Sequence, residues 1–403
     1  LRHIDGFGEI IWIADLGGIA AEMANWSYTA TWSSGADGAV IVAAVRGQPG
    51  LSFFHIDTVS YTLTRIARIE DDTKTMLADV SALEVVQVAG HWLVVAASAA
   101  DGGITVLRLN ADNSVSILDS IGAAFGTGWA GTSALEILQA HGTTWVLVGS
   151  PGTGDVSLLR LNDLGVLIHT DSALDTLHTR FGGVAEITGF TWNGRAFAVA
   201  GGNDGGIALF EIGPDGALHY LQSFASHPGA VIGNILSMTS EVIGTTAQIF
   251  LSTEGIGGLH QFAIDLTRFG SLIQGGPQGQ VLHGTALDDL IYAGGGNNTL
   301  HGGAGNDRLV AGPGFNQLWG GAGADVFVFR PGGGSDRIMD FQRGQDKIDL
   351  SAYPMLHALD GFSITPTADG ARIDVLGDVI HIRTDDFRTL MPGDLGMDDF
   401  IFV

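Results

Sequence analysis

Cysteine is absent from all 403 residues, so no disulfide can staple this chain, and rigidity must come from packing or from bound metal. Basic residues are scarce: 18 Lys and Arg stand against 43 Asp and Glu, a formal net charge of −25. That deficit excludes the cationic footprint a nucleic-acid binder needs. No apolar run approaches the roughly 18–20 residues of a membrane-spanning helix. The opening stretch LRHIDGFGEIIWIADLGG lacks the basic head and apolar core of a secretory signal. It also starts without Met, which leaves N-terminal processing or truncation open. Missing too are HExxH, a GxSxG elbow, a phosphate loop and a cysteine nucleophile, so the common catalytic constellations have no anchor.

Glycine, by contrast, is abundant: 61 residues, in a chain that is 45% hydrophobic. That pairing argues for a packed, turn-rich all-β protein and against disorder. The glycines are most ordered between His283 and Phe329. Five nine-residue units follow one another without insertion: GTALDDLIY (284–292), AGGGNNTLH (293–301), GGAGNDRLV (302–310), AGPGFNQLW (311–319) and GGAGADVFV (320–328). Position six is Asp289, Asn298, Asp307, Asn316 and Asp325; position eight is Ile291, Leu300, Leu309, Leu318 and Phe327. Glycines at positions one, two and four allow a tight loop that turns carbonyl oxygens inward. The Asp adds a carboxylate, and hard oxygens of this kind suit calcium. The apolar residue at position eight marks a minimal strand pointing into a core. Loop plus strand makes half a coil, so residue i is expected to stack on residue i+18, as in a parallel β-roll.

These motifs resemble the RTX, or haemolysin-type calcium-binding, nonapeptide repeat. Stacking by 18 separates an Asp edge (units 284, 302 and 320) from an Asn edge (units 293 and 311), the latter with Pro313 and Phe315 inside a loop. Affinity falls with ligand charge. Two calcium sites are therefore expected on the Asp edge, from Gly284, Ala286, Asp289, Gly302, Ala304, Asp307, Gly320, Ala322 and Asp325, with a weak or vacant Asn edge. Residues 330–350 resemble the segment that follows the repeats in serralysin-type proteases. This resemblance implies a closing strand set with Asp336, Asp340, Asp346 and Asp349 as further ligands or caps, Asp336 and Asp340 favoured. The closing MDDFIFV (397–403) resembles the C-terminal signal of type I secretion substrates, which implies a secreted, extracellular protein and the type I machinery as a partner.

A longer period governs residues 20–275. Five segments, each an apolar strand, a Gly-rich hairpin and an alternating strand, end at Ile56, Leu109, Leu161, Ile212 and Ile264, at intervals of 53, 52, 51 and 52. A further strand precedes and follows each, the last reading GSLIQ. Four strands per 52 residues is the arithmetic of a β-propeller blade, and a sandwich would not require so strict a period. The expected architecture is all-β: a five-bladed β-propeller (1–275), a β-roll (281–350) and a β-rich tail (351–403), with Glu9–Leu16 able to add a closing strand. GGNDGGIALFEIGPDGAL (201–218) resembles lactonase-like and YVTN-type blades. Glu84, Glu136 and Glu186 recur on first strands, with Asn234 in the next blade, and can form a polar ring around a ligand or cation. Three uses of the propeller follow: a non-catalytic binding or self-assembly module facing a cell surface or polysaccharide, a hydrolase of sugars or lactones, or a lectin.

Overall fold

The structure, a computed structural model, describes residues 2–4, 10–12 and 25–402, apart from 36–37, 58–59, 61, 123–127, 177–178, 227–230, 256–257, 355, 357 and 392. It divides into two units: Leu1–Val242 with Ala247–Ala263, and Ile243–Thr246 with Ile264–Val403.

The first unit is built from antiparallel sheets whose strands follow chain order. Blade one joins Tyr28–Gly35, Gly38–Ala44, Leu51–Asp57 and Leu63–Ile69. Blade two joins Val80–Val88, His91–Ser98, Gly103–Leu109 and Val115–Gly122. Blade three runs from Ala134–Ala140 through Thr143–Ser150 and Asp155–Leu161 to Leu167–Leu174. Blade four runs from Glu186–Trp192 through Arg195–Gly201 and Gly206–Ile212 to Leu218–Ala225. The middle strands are apolar on both faces because each sheet is covered on both sides: Arg195–Gly201 and Gly206–Ile212 are buried at every residue. Apolar cores accordingly lie between consecutive blades, one to two, two to three and three to four. The hairpin at the centre of blades two, three and four turns at Gly102, Gly154 and Gly205, with φ of 59°, 68° and 73°, a conformation that favours glycine. The 52-residue period is thus a rotation from blade to blade. Gln139 Nε2 donates to the Gln87 carbonyl at 2.8 Å, and the Thr188 and Ser240 hydroxyls bond at 2.9 Å, each pair 52 residues apart.

Two expectations change here. Among the described residues the fifth sheet has three strands, Ile235–Ile243, Thr246–Thr253 and Leu259–Asp265. The strand read as its fourth, Phe269–Gln274, pairs in parallel with Asp288–Tyr292 and opens the second unit's parallel sheet. Ile10–Trp12 pairs with Arg2–Ile4 and not with the fifth sheet; Glu9 and residues 13–16 lie outside the described residues.

The second unit is a parallel β-roll. One sheet stacks Phe269–Gln274, Asp288–Tyr292, Arg308–Val310, Val326–Val328, Lys347–Asp349 and Phe400–Ile401. The other stacks Val281–His283, Thr299–Ala304, Gln317–Ala322, Ser335–Phe341 and Asp378–Thr384, then turns antiparallel through Gly370–Val375 and Ser363–Thr367. Register follows the expected 18: Ile291 on Leu309 on Phe327, and Leu282 on Leu300 on Leu318. These position-eight side chains form the interior of the roll and are almost wholly buried.

Candidate metal centre

The Asp edge begins with backbone geometry. A Cβ on Gly302 would fall 2.3 Å from Asp307 Oδ2 and 2.5 Å from the Gly320 carbonyl oxygen; one on Gly284 would fall 2.0 Å from the Gly302 carbonyl oxygen. Only glycine lets neighbouring loops come so close. The position-six carboxylates form a ladder through the stack. Asp307 Oδ1 accepts the Asp289 N–H at 2.8 Å, and Asp325 Oδ1 accepts the Asp307 N–H at 2.8 Å. One oxygen of each Asp therefore holds the fold. The other differs from loop to loop. Asp289 Oδ2 accepts from Thr285 N–H at 2.5 Å and from the Thr285 hydroxyl at 2.9 Å. Asp307 Oδ2 and Asp325 Oδ2 are buried with no hydrogen-bond partner.

An orphaned buried carboxylate oxygen is costly. Its cost appears as an upward pKa shift: burial raises Asp307 to about 7 and Asp325 to about 6, and neighbouring carboxylates add to it. Loop carbonyls are the further oxygens at hand, Gly320 O beside the same Gly302 Cβ position as Asp307 Oδ2. Ala322 O accepts Gly305 N–H at 2.9 Å, Thr285 O accepts Ala304 N–H at 3.2 Å, and each keeps a second lone pair. Among the described residues no cluster of three carboxylate or imidazole side chains forms, as expected where most donors are backbone. Unpaired carboxylates among carbonyls fit a hard cation such as calcium.

The Asn edge has the same ladder with a different ending. Asn298 Oδ1 accepts Gln280 N–H at 2.8 Å, Asn316 Oδ1 accepts Asn298 N–H at 3.0 Å, and Asp336 Oδ1 accepts Asn316 N–H at 2.9 Å. The Nδ2 groups then turn onto the loop carbonyls. Asn298 Nδ2 donates to Gly295 O at 3.1 Å and Gly296 O at 2.9 Å; Asn316 Nδ2 donates to Gly312 O at 2.8 Å. Here the protein supplies its own donor.

The two tail residues favoured by sequence separate. Asp336 ends the Asn ladder, whereas Asp340 accepts Gly320 N–H at 3.0 Å and Gly321 N–H at 3.1 Å on the Asp side. Burial raises both, Asp336 to about 6. The residue that continues the Asp ladder is Asp346, whose Oδ1 accepts Asp325 N–H at 3.0 Å and whose Oδ2 accepts Gln342 N–H at 2.8 Å. FQRGQDKID (341–349) keeps the Gly, Asp and apolar residue of positions four, six and eight, which was the available signal. Gln342 and Gln345 side-chain amides donate to Gly321 O and Gly323 O and cap the last loop. Below unit 284, Ile273 and Leu282 stack under Ile291 and Leu300, so the coil starts two units earlier than the five counted.

In the propeller, Glu84 pairs across its blade with Val95 and Glu136 with Leu147, which are equivalent positions; Glu186 pairs with Gly201, two residues out of step, and Thr188, paired with Val199, takes the equivalent place. Glu136 Oε1 accepts the Gly189 N–H at 3.1 Å. Burial, then Glu84 and more weakly Glu186, raises Glu136 to about 8; burial raises Glu186 to about 7 and also raises Glu84. Asn234 is exposed and donates to Glu254 Oε2 at 3.1 Å. Glu136 feels the charge of the other two Glu, and Asn234 has no shown link to them.

A model of the RTX calcium-binding nonapeptide repeat matches residues 274–309, 283–318 and 301–338. Residues 274–338 carry RTX repeats. Such repeats bind calcium. A search of the curated proteins finds no match. Among solved structures, the Pseudomonas aeruginosa periplasmic gluconolactonase is 16% identical with a TM-score of 0.47, over 66% of this chain and 74% of that one. The AlgE6R3 subunit of the Azotobacter vinelandii mannuronan C5-epimerase is 32% identical with a TM-score of 0.26, over 31% of this chain and 79% of that one. Among the described residues no helix is long and apolar enough to cross a membrane.

Proposed function

We propose that this is an exported protein whose RTX roll takes up calcium on its Asp edge outside the cell, while the propeller serves as a non-catalytic binding and assembly module. The observation that carries the metal assignment is the pair of buried, unpartnered oxygens, Asp307 Oδ2 and Asp325 Oδ2. The ligands are the carboxylates of Asp289, Asp307 and Asp325 with carbonyls of Gly284, Ala286, Gly302, Ala304, Gly320 and Ala322. Asp336 and Asp340 play a supporting part, as ends of the two edges. Calcium bound only by the folded roll adds its binding free energy to folding. Calcium is scarce inside cells and abundant outside, so the roll stays open before export and closes after it. The type I route accords with the RTX repeats, the absence of cysteine and the acidic–apolar motif at Asp398–Phe402.

Circular dichroism during calcium titration of the whole chain tests this. Parallel-sheet signal and the roll's melting transition are expected to rise with calcium and to reverse with chelator. A roll equally folded and equally stable in both buffers would overturn the reading. A hydrolase or sugar-binding propeller is the second reading, favoured by the mutual electrostatic influence of Glu84, Glu136 and Glu186. Lactone and glycoside turnover, lost in Glu136→Gln, would install it in place of the assembly role.

A further inference from the structure

The Asp edge meets protein donors at both of its ends, and position two of each coil shows how. In the inner coils that residue is Gly303 or Gly321. A Cβ on Gly303 would fall 2.1 Å from the Thr285 carbonyl oxygen, and one on Gly321 would fall 2.1 Å from the Gly303 carbonyl oxygen. Position two therefore points into the gap beneath its own coil, and glycine leaves that gap open. The outer coils carry side chains there instead.

Thr285 is position two of unit 284. Its N–H and hydroxyl both donate to Asp289 Oδ2, at 2.5 Å and 2.9 Å. A Cβ on Gly270, in the coil beneath, would fall 2.9 Å from that hydroxyl oxygen. Gln342 is position two of FQRGQDKID (341–349). Its Nε2 donates to the Gly321 carbonyl at 2.6 Å, and Gln345 Nε2 donates to the Gly323 carbonyl at 2.5 Å. One coil earlier, the equivalent carbonyls of Gly303 and Gly305 face the next coil: the latter lies 1.9 Å from a Cβ built on Gly323. In the last gap both oxygens of Asp346 are also engaged, by Asp325 N–H at 3.0 Å and Gln342 N–H at 2.8 Å. The Phe341 carbonyl accepts Asp385 N–H at 3.2 Å. Calcium takes about six oxygens or more, and here the protein's own donors hold them. A side-chain amide supplies N–H donors without charge, the device that Asn298 and Asn316 use on the other edge.

We infer that Thr285 at one end, and Gln342 with Gln345 at the other, are stops that end the calcium ladder. The Asp edge then holds two ions, in the gaps that Gly303 and Gly321 leave open. This inference rests on the calcium reading of the roll and adds the stoichiometry and the residues that set it.

Counting tightly held calcium per whole chain, by native mass spectrometry and by isothermal titration, tests it. The parent is expected to bind two ions. Gln342→Gly/Gln345→Ala gives the last coil the residues that stand at Gly321 and Ala324, and is expected to bind a third. Gln342→Glu/Gln345→Glu keeps the side-chain size, exchanges donor for acceptor, and is likewise expected to bind three. Circular dichroism in calcium reports that each variant is folded. Two ions in both folded variants, or three in the parent, would overturn the stops and leave calcium binding in place. A parent that binds no calcium would overturn the calcium reading and this inference with it.

Discussion

The two edges of the β-roll run on one backbone plan and end in different chemistry. Both use position-six side chains as a ladder, each accepting the N–H of the residue one coil below. Both bring glycine loops into near contact with the carbonyls of a neighbouring coil. On the Asn edge the second polar atom is an NH2 that satisfies loop carbonyls. On the Asp edge it is an oxygen, unpartnered and buried in two loops of three. A change of one donor for one acceptor decides whether a coil satisfies its own loop carbonyls or is left with a buried, unpartnered oxygen. The first loop shows a third solution, in which the Thr285 hydroxyl and N–H occupy the spare oxygen of Asp289.

The largest effect is expected from Asp307→Ala, since Asp307 serves the loops on either side. It removes a shared carboxylate and leaves the buried Asp289 N–H without its acceptor, worth about 1–3 kcal/mol by itself. The calcium midpoint by isothermal titration should rise at least about tenfold, and an unchanged midpoint would break the contrast between the edges. A smaller effect is expected from pH in chelator. Asp307, Asp325 and Asp346 stand at about 7, about 6 and about 7, raised by burial above an ordinary 3.8. The folded roll then holds more protons than the unfolded chain between about pH 4 and pH 7, so its stability is greatest below that window and is lost as pH rises through it. The metal-free melting temperature should fall from about pH 5 to about pH 7.5, and saturating calcium, which takes the deprotonated form, should cancel or reverse the trend. The smallest effect is expected from Asn298→Ala, which deletes two side-chain bonds to Gly295 and Gly296 and the acceptor for Gln280. A loss of about 1–3 kcal/mol in chelator and in calcium alike would mark this edge as independent of metal.

Much of this was legible in the chain because it repeats. Position eight fixed what faces inward, and the 18-residue step gave the stacking of Ile291, Leu309 and Phe327. Terminal apolar residues 51–53 apart marked the third strand of every blade. What escaped was local competition between the two patterns. Phe269–Gln274 reads as an outer blade strand or as a rung, and the placement of Leu272 and Ile273 beside Leu290 and Ile291 decides for the rung. Asp346 was undervalued because FQRGQDKID has lost its first two glycines and sits 21 residues, not 18, beyond Asp325. Glu186 looked equivalent to Glu136 because the interval is close to the period, yet cross-strand register puts Thr188 there. An offset of two residues is invisible when strands are aligned by composition.

The strand Phe400–Ile401 bears on the order of events. Inner rungs join residues 18 apart, as Ile291 to Leu309, whereas this one joins Ile348 to Phe400, 52 positions away. Closing the longer loop costs about 1 kcal/mol more in chain entropy. Local contacts favour closing the roll coil by coil from its repeats, with docking of the nearly buried Phe400 expected to follow. In kinetic terms, the segment around Phe400 has the longest loop to close in its sheet, and its partner is a coil built from local repeats.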